Sequence, residues 1–166
     1  MSAILFATTV ILGVAVWFDI ATRTIPDACA VGLCAVGLVA RLLDGPMAAL
    51  ASIGVALVVG AFLVLLHARG VLGGGDVKLI AALLVGTAPA AAFELVFWIA
   101  MAGGMLGVAY LLLSFVMPRP ALRPRAPVAV RVAVVEANRI ARRGPLPYGV
   151  AIAAGAIAVG LGADVV

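Results

Sequence analysis

Residues 4–18 read ILFATTVILGVAVWF, an uncharged apolar run that ends on Asp19. A helix crossing a bilayer core needs about 20 predominantly apolar residues, and this run with its flanks has that length. The rest of the chain repeats the pattern. Of its 166 residues, 66% are hydrophobic and 11% are charged, whereas soluble domains carry about 45–50% apolar and about 25% charged residues. Apolar stretches broken by Gly, Pro or charge predict helices at roughly 3–20, 28–43, 47–67, 77–92, 93–117 and 147–163. The expected fold is all-α: one polytopic membrane bundle of about six spans, making a single domain of residues 1–166. The first run lacks a basic n-region before it and a small-x-small cleavage site after it, so it is expected to stay as the first helix. Cys29 and Cys34 fit neither a C-x-x-C pair nor a zinc ligand set and read as packing residues.

Lys and Arg collect on the cytoplasmic side of membrane proteins. With the N-terminus outside, the cytoplasmic loops hold Arg23, Arg69 and Lys78, and then Arg119, Arg123, Arg125, Arg131, Arg139, Arg142 and Arg143. Of the 11 basic residues, only Arg41 falls on the opposite side. This predicts both termini outside and a basic cytoplasmic loop at roughly 118–146. Its first part, Pro118 to Pro127, is too rich in proline for a helix, whereas Val128 to Arg143 can form one, with Val128, Val132, Val135 and Arg139 along a face. That segment reads equally as a membrane-surface helix or as a solvated linker. The net charge of +4 comes with no nucleic-acid motif, so the expected partner is the lipid bilayer and not a nucleic acid.

An ionised carboxylate at the bilayer centre costs about 2.5–3.5 kcal/mol on insertion scales, so acids beside apolar runs call for a reason. Asp44, Glu94 and Asp164 fall on the outer side. Asp27 and Glu136 lie in cytoplasmic segments, where solvent or Arg can satisfy them. Asp19 and Asp76 differ, because both stand at the cytoplasmic edge of an apolar run. Asp76 follows Gly73, Gly74 and Gly75, which permit unusual backbone angles, leave room for another chain and could act as a hinge. The bland reading makes the glycines a tight turn and Asp76 a helix N-cap. Two carboxyls that share a proton can activate water and protonate a peptide group. Helix ends give Asp76 a start and Asp19 an end, which points to Asp76 as the more readily ionised of the pair.

Two segments, DIATRTIPD from Asp19 to Asp27 and GGGDVKL from Gly73 to Leu79, resemble the motifs of type IV prepilin peptidases. The second matches their GxGD signature. LPYGVAI, from Leu146 to Ile152, is similar to the Pro-Tyr-Gly segment that enters that family's last helix. The resemblance implies an aspartic endopeptidase in the inner membrane, with Asp19 and Asp76 as catalytic pair, cutting the short leader of a prepilin at the cytoplasmic face. It implies supporting roles for Pro26, Gly73, Gly74, Gly75, Pro147, Tyr148 and Gly149, no metal or organic cofactor, and contact with pilus-assembly machinery. Asp27 stands where the family commonly has Asn. Larger members carry a C-x-x-C domain and methylate the product. This chain lacks that insertion and resembles the short form of Flp-type, tight-adherence systems, so methyl transfer is not implied.

Lys78, two residues past Asp76, reads either as support for the pair or as an interface anchor. His67 reads as a loop cap or interface residue. Gly103 and Gly107 form a G-x-x-x-G pair suited to close helix contact. Two other classes of function fit parts of the pattern. A small proton- or ion-coupled transporter could use Asp19, Asp76 and Lys78 as a relay, though the acids lie at one edge and no inverted repeat is present. A non-catalytic assembly subunit would need neither acid.

Overall fold

The computed structural model describes residues 3–118, 120–121 and 126–162, with the backbone alone for 161 and 162. Arg119, Arg123, Arg125 and Asp164 lie outside the described residues. Those described form helices α1 (Ala3–Thr22), α2 (Asp27–Leu43), α3 (Pro46–Ala68), α4 (Gly74–Gly86), α5 (Pro89–Ser114), α6 (Val128–Ala141) and α7 (Tyr148–Gly162). Proline sets most of the starts. It lacks an N–H, and the first N–H groups of a helix have no internal acceptor, so it is tolerated there. Pro46 and Pro89 open α3 and α5, while Pro26 and Pro127 cap α2 and α6.

The boundary expected near residue 92 lies instead at 87–88. Thr87 and Ala88 are both extended, with ψ of 136° and 142°; for Ala88 the cause is Pro89, which pushes the residue before it out of the helical region. At its other end, α4 begins at Gly74, so two of the three glycines expected to form a hinge are helical.

Helices α1, α3 and α5 are long and apolar enough to cross a membrane. The others are shorter. With 13 residues, α4 is about 20 Å long, less than the roughly 30 Å of a bilayer core. Three long and three short apolar helices thus stand where six of similar length are expected, and α6 makes a seventh. The outer surface carries Phe6, Val31, Leu57, Val58, Phe93 and Met105 well exposed. An apolar exterior of this kind fits a lipid environment rather than water, and the chain is a membrane protein.

The shortest apolar helix is the centre of the bundle. Val77, Leu79, Ile80, Ala82, Leu83 and Leu84 of α4 are all buried, and α4 packs on α2, α3 and α7. Its crossing with α2 is backbone on backbone: a Cβ built on Gly37 would lie 2.6 Å from the Gly86 Cα. Around this centre α5 packs along α7, and α1 packs on α2 and α7.

Gly86→Val is expected to cost roughly 1–3 kcal/mol, the usual range for overpacking a filled core. Thermal unfolding in detergent checks this, with Gly13→Ala as the control: a Cβ at Gly13 meets nothing within 4 Å, so that variant keeps its midpoint.

Candidate active site

Asp19 lies in the last turn of α1, where the apolar run meets its first charge. It is 6% exposed. Its Oδ2 accepts a hydrogen bond of 2.7 Å from the backbone N–H of Gly149 in the first turn of α7. The opening N–H groups of a helix are unpaired within it and carry partial positive charge, so a carboxylate is a favourable partner there. The closeness demands glycine. A Cβ at position 149 would sit 3.0 Å from the same Oδ2.

Asp76 is the third residue of α4, after the N-cap Gly73. It is therefore not the N-cap itself. Its carboxylate folds back onto the Gly73 backbone, as an acid at the third helical position does in a capping box. A Cβ on Gly73 would meet Asp76 Oδ2 at 2.6 Å. The neighbouring glycines are covered in turn: a Cβ on Gly74 would touch the His67 ring at 3.3 Å, and one on Gly75 would touch Ile25 at 3.3 Å. A Cβ at any of the three would thus meet the chain's own side chains, and Gly73 also lines the cavity beside Asp76. Both acids have a helix N-terminus to lean on, so the contrast of helix ends read from the sequence does not separate them.

The two carboxylates line one cavity of about 660 Å³ at one end of the bundle and are within electrostatic reach of each other. Arg23, Gly73 and Tyr148 complete its polar rim, and Phe62 and Leu66 of α3 with Ile99 of α5 form much of its apolar wall. Tyr148 reaches it by crossing α5 at Gly103, where a Cβ would come within 2.6 Å of the ring. Gly103 therefore makes room for an aromatic ring, and Gly107 faces Leu146; the G-x-x-x-G pair receives the entry segment of α7. Pro147 is fully buried beside Tyr148. Pro26 opens α2 in extended conformation, leaving Ile25 to pack on Gly75.

Lys78 is not on this cavity. Its Nζ pairs with Asp27 at 2.7 Å in a separate groove between α2, α3 and α4, and both side chains are largely exposed. The pair gives Asp27 a partner. His67 Nδ1 lies 2.9 Å from the Leu72 carbonyl and so closes the loop before Gly73, a cap as expected. Cys29 is buried in the core and Cys34 packs against it; both are free. Among the described residues no three His, Cys, Asp or Glu side chains gather as metal ligands.

Sequence reasoning missed the surroundings of Asp19. Arg23 bonds to Glu136 of α6, and Tyr110 of α5 donates to the same Glu136 oxygen at 2.6 Å. The helix over Val128 to Arg143 is present as α6, yet it is neither a free linker nor a bare surface helix, because Glu136 and Ile140 are buried against the bundle. The signal available was an acid at position 136 within a basic segment.

A helical membrane protein with two acids from separate helices on one mainly apolar cavity is the class that fold and site define. Within it, the chain belongs to the type IV leader peptidase family, whose model matches residues 6–117. The family implies a peptidase. Comparison with curated proteins gave no match, and comparison with solved structures gave none.

Two substitutions test the geometry. Gly149→Ala displaces the Asp19 carboxylate and is expected to lower leader cleavage by about 10- to 100-fold, as small misplacements of reacting groups do. Lys78→Met removes an exposed pair worth about 0–1 kcal/mol and leaves cleavage within about twofold, read for both variants from the mobility of a co-expressed substrate on a gel.

Proposed function

We propose that the chain is an aspartic endopeptidase that removes the leader of a prepilin, of Flp type, at the cytoplasmic face of the inner membrane. The observation that carries this reading is the meeting of Asp19 and Asp76 on one cavity. One carboxylate takes a proton from water as the oxygen attacks the scissile carbonyl, while the other, protonated, donates to the carbonyl oxygen; on collapse the first gives its proton to the leaving amine and the second recovers the proton from the hydroxyl. Two carboxyls that share a proton in this way act as a unit. The apolar wall suits an apolar stretch of substrate beside the scissile bond, and the rim of Arg23, Gly73 and Tyr148 holds the polar groups.

Topology follows from charge. Arg23, Lys78, Arg139, Arg142 and Arg143 lie at or near the end that holds the acids, which supports a cytoplasmic site, six membrane-embedded helices with both termini outside, and α6 at the inner surface. The transporter reading is not favoured, because the acids sit at one end of the bundle and the family is one of peptidases.

The test is co-expression with a Flp-type prepilin. Asp19→Asn and Asp76→Asn are each expected to lower cleavage by about 10²- to 10⁴-fold, the usual worth of a general acid or base. The double variant should be little worse than either single one, since residues acting as a unit are not additive. Cleavage at the wild-type rate in either single variant would overturn the mechanism.

A further inference from the structure

Helix α6 lies beyond residues 6–117, the part that matches the family, yet it grips the turn that carries Asp19. The last carbonyls of a helix have no internal donors and favour nearby cations. Arg139 supplies both needs: its Nη1 donates to the Ile20 carbonyl at 2.6 Å and its Nη2 to the Ala21 carbonyl at 3.5 Å. Arg23 returns over the same turn, its backbone N–H donating to the Asp19 carbonyl at 2.9 Å and its Nη1 reaching that oxygen at 3.4 Å. Arg23 does this with φ of 58°, in the left-handed region that costs a non-glycine residue free energy and persists only where the surroundings enforce it.

Both guanidiniums converge on one anion. Glu136 takes Arg23 on Oε1, Arg139 on Oε2 at 3.2 Å, and the Tyr110 hydroxyl on Oε1. The three charged side chains are between 12% and 24% exposed. Removing one member of a buried ion network leaves its partners uncompensated. Without Glu136, two half-buried cations would face each other across the end of α1.

We propose that Glu136 is a positioning residue for Asp19. Acting through Arg23 and Arg139, it locks the final turn of α1, so that the Asp19 carboxylate keeps its bond to Gly149 and its direction into the cavity. Glu136 touches no reacting atom. The inference rests on the peptidase reading for its kinetic readout only.

The test uses the full chain in detergent with nitrogen-labelled glycine, in which the Gly149 amide resonance, assigned with Gly149→Ala, reports its bond to Asp19. Glu136→Gln, which keeps shape and loses charge, is expected to move this resonance toward its position in Asp19→Asn. It should also lower kcat about tenfold, as loosened alignment does, with KM kept within about twofold. Glu136→Ala should go further on both measures; if it does not fold, Glu136→Gln decides alone. A Gly149 resonance at its wild-type position with unchanged kcat in the Gln variant overturns the proposal. Failure of the wild type to cleave the prepilin would sink the substrate reading and leave the amide shift to judge Glu136.

Discussion

The hydrogen bond from Gly149 N–H to the Asp19 carboxylate ties the site together. A carboxylate in an apolar bundle is tolerated only where donors or charge meet it, and here the donor is the opening of another helix. That contact fixes the end of α1 against the start of α7 and places Tyr148, the next residue back, on the cavity. It also dictates composition nearby: glycine at 149 because a side chain would strike the carboxylate, and glycine at 103 because the Tyr148 ring crosses α5 there.

Asp76 reaches the same cavity by a different route. Its position depends on α4, the shortest apolar helix and the most enclosed, whose crossing with α2 at Gly37 and Gly86 lets two backbones touch. The core helix that carries one acid is thus held by close packing, while the other acid is held by polar contacts at the bundle's end. The polar contacts at the bundle's end include an element outside the apolar core. That outer element is α6, which covers the end of α1 through Glu136 and Arg139, with Tyr110 of α5 bonded to Glu136.

Much of this was legible beforehand. The apolar runs announced an all-helical membrane protein, and Asp19 and Asp76 stood out because charge beside a membrane-length run is costly. The helix from Val128 was also within reach, as was Arg139 as a partner for Glu136, one turn away in the same basic segment. The readings that changed were those that depended on what faces what. Three glycines before an acid looked like a hinge; two of them are helical in α4, and His67, Ile25 and the Asp76 carboxylate lie where their side chains would be. Lys78 looked like a companion of Asp76, yet its side chain leaves α4 toward α2.

By itself, the sequence determined the solvent of this protein, its helical class and the two acids, because these follow from local composition and from the free energy of placing charge beside hydrocarbon. Tertiary structure alone decided that the acids share a cavity, that α7 supplies the donor for Asp19, and that Glu136 meets Arg23 across 113 positions of chain. Those are matters of helix direction and crossing. They are set by the packing of α4 at Gly37 and Gly86 and of α5 against Tyr148, contacts between segments distant in sequence that no local pattern encodes.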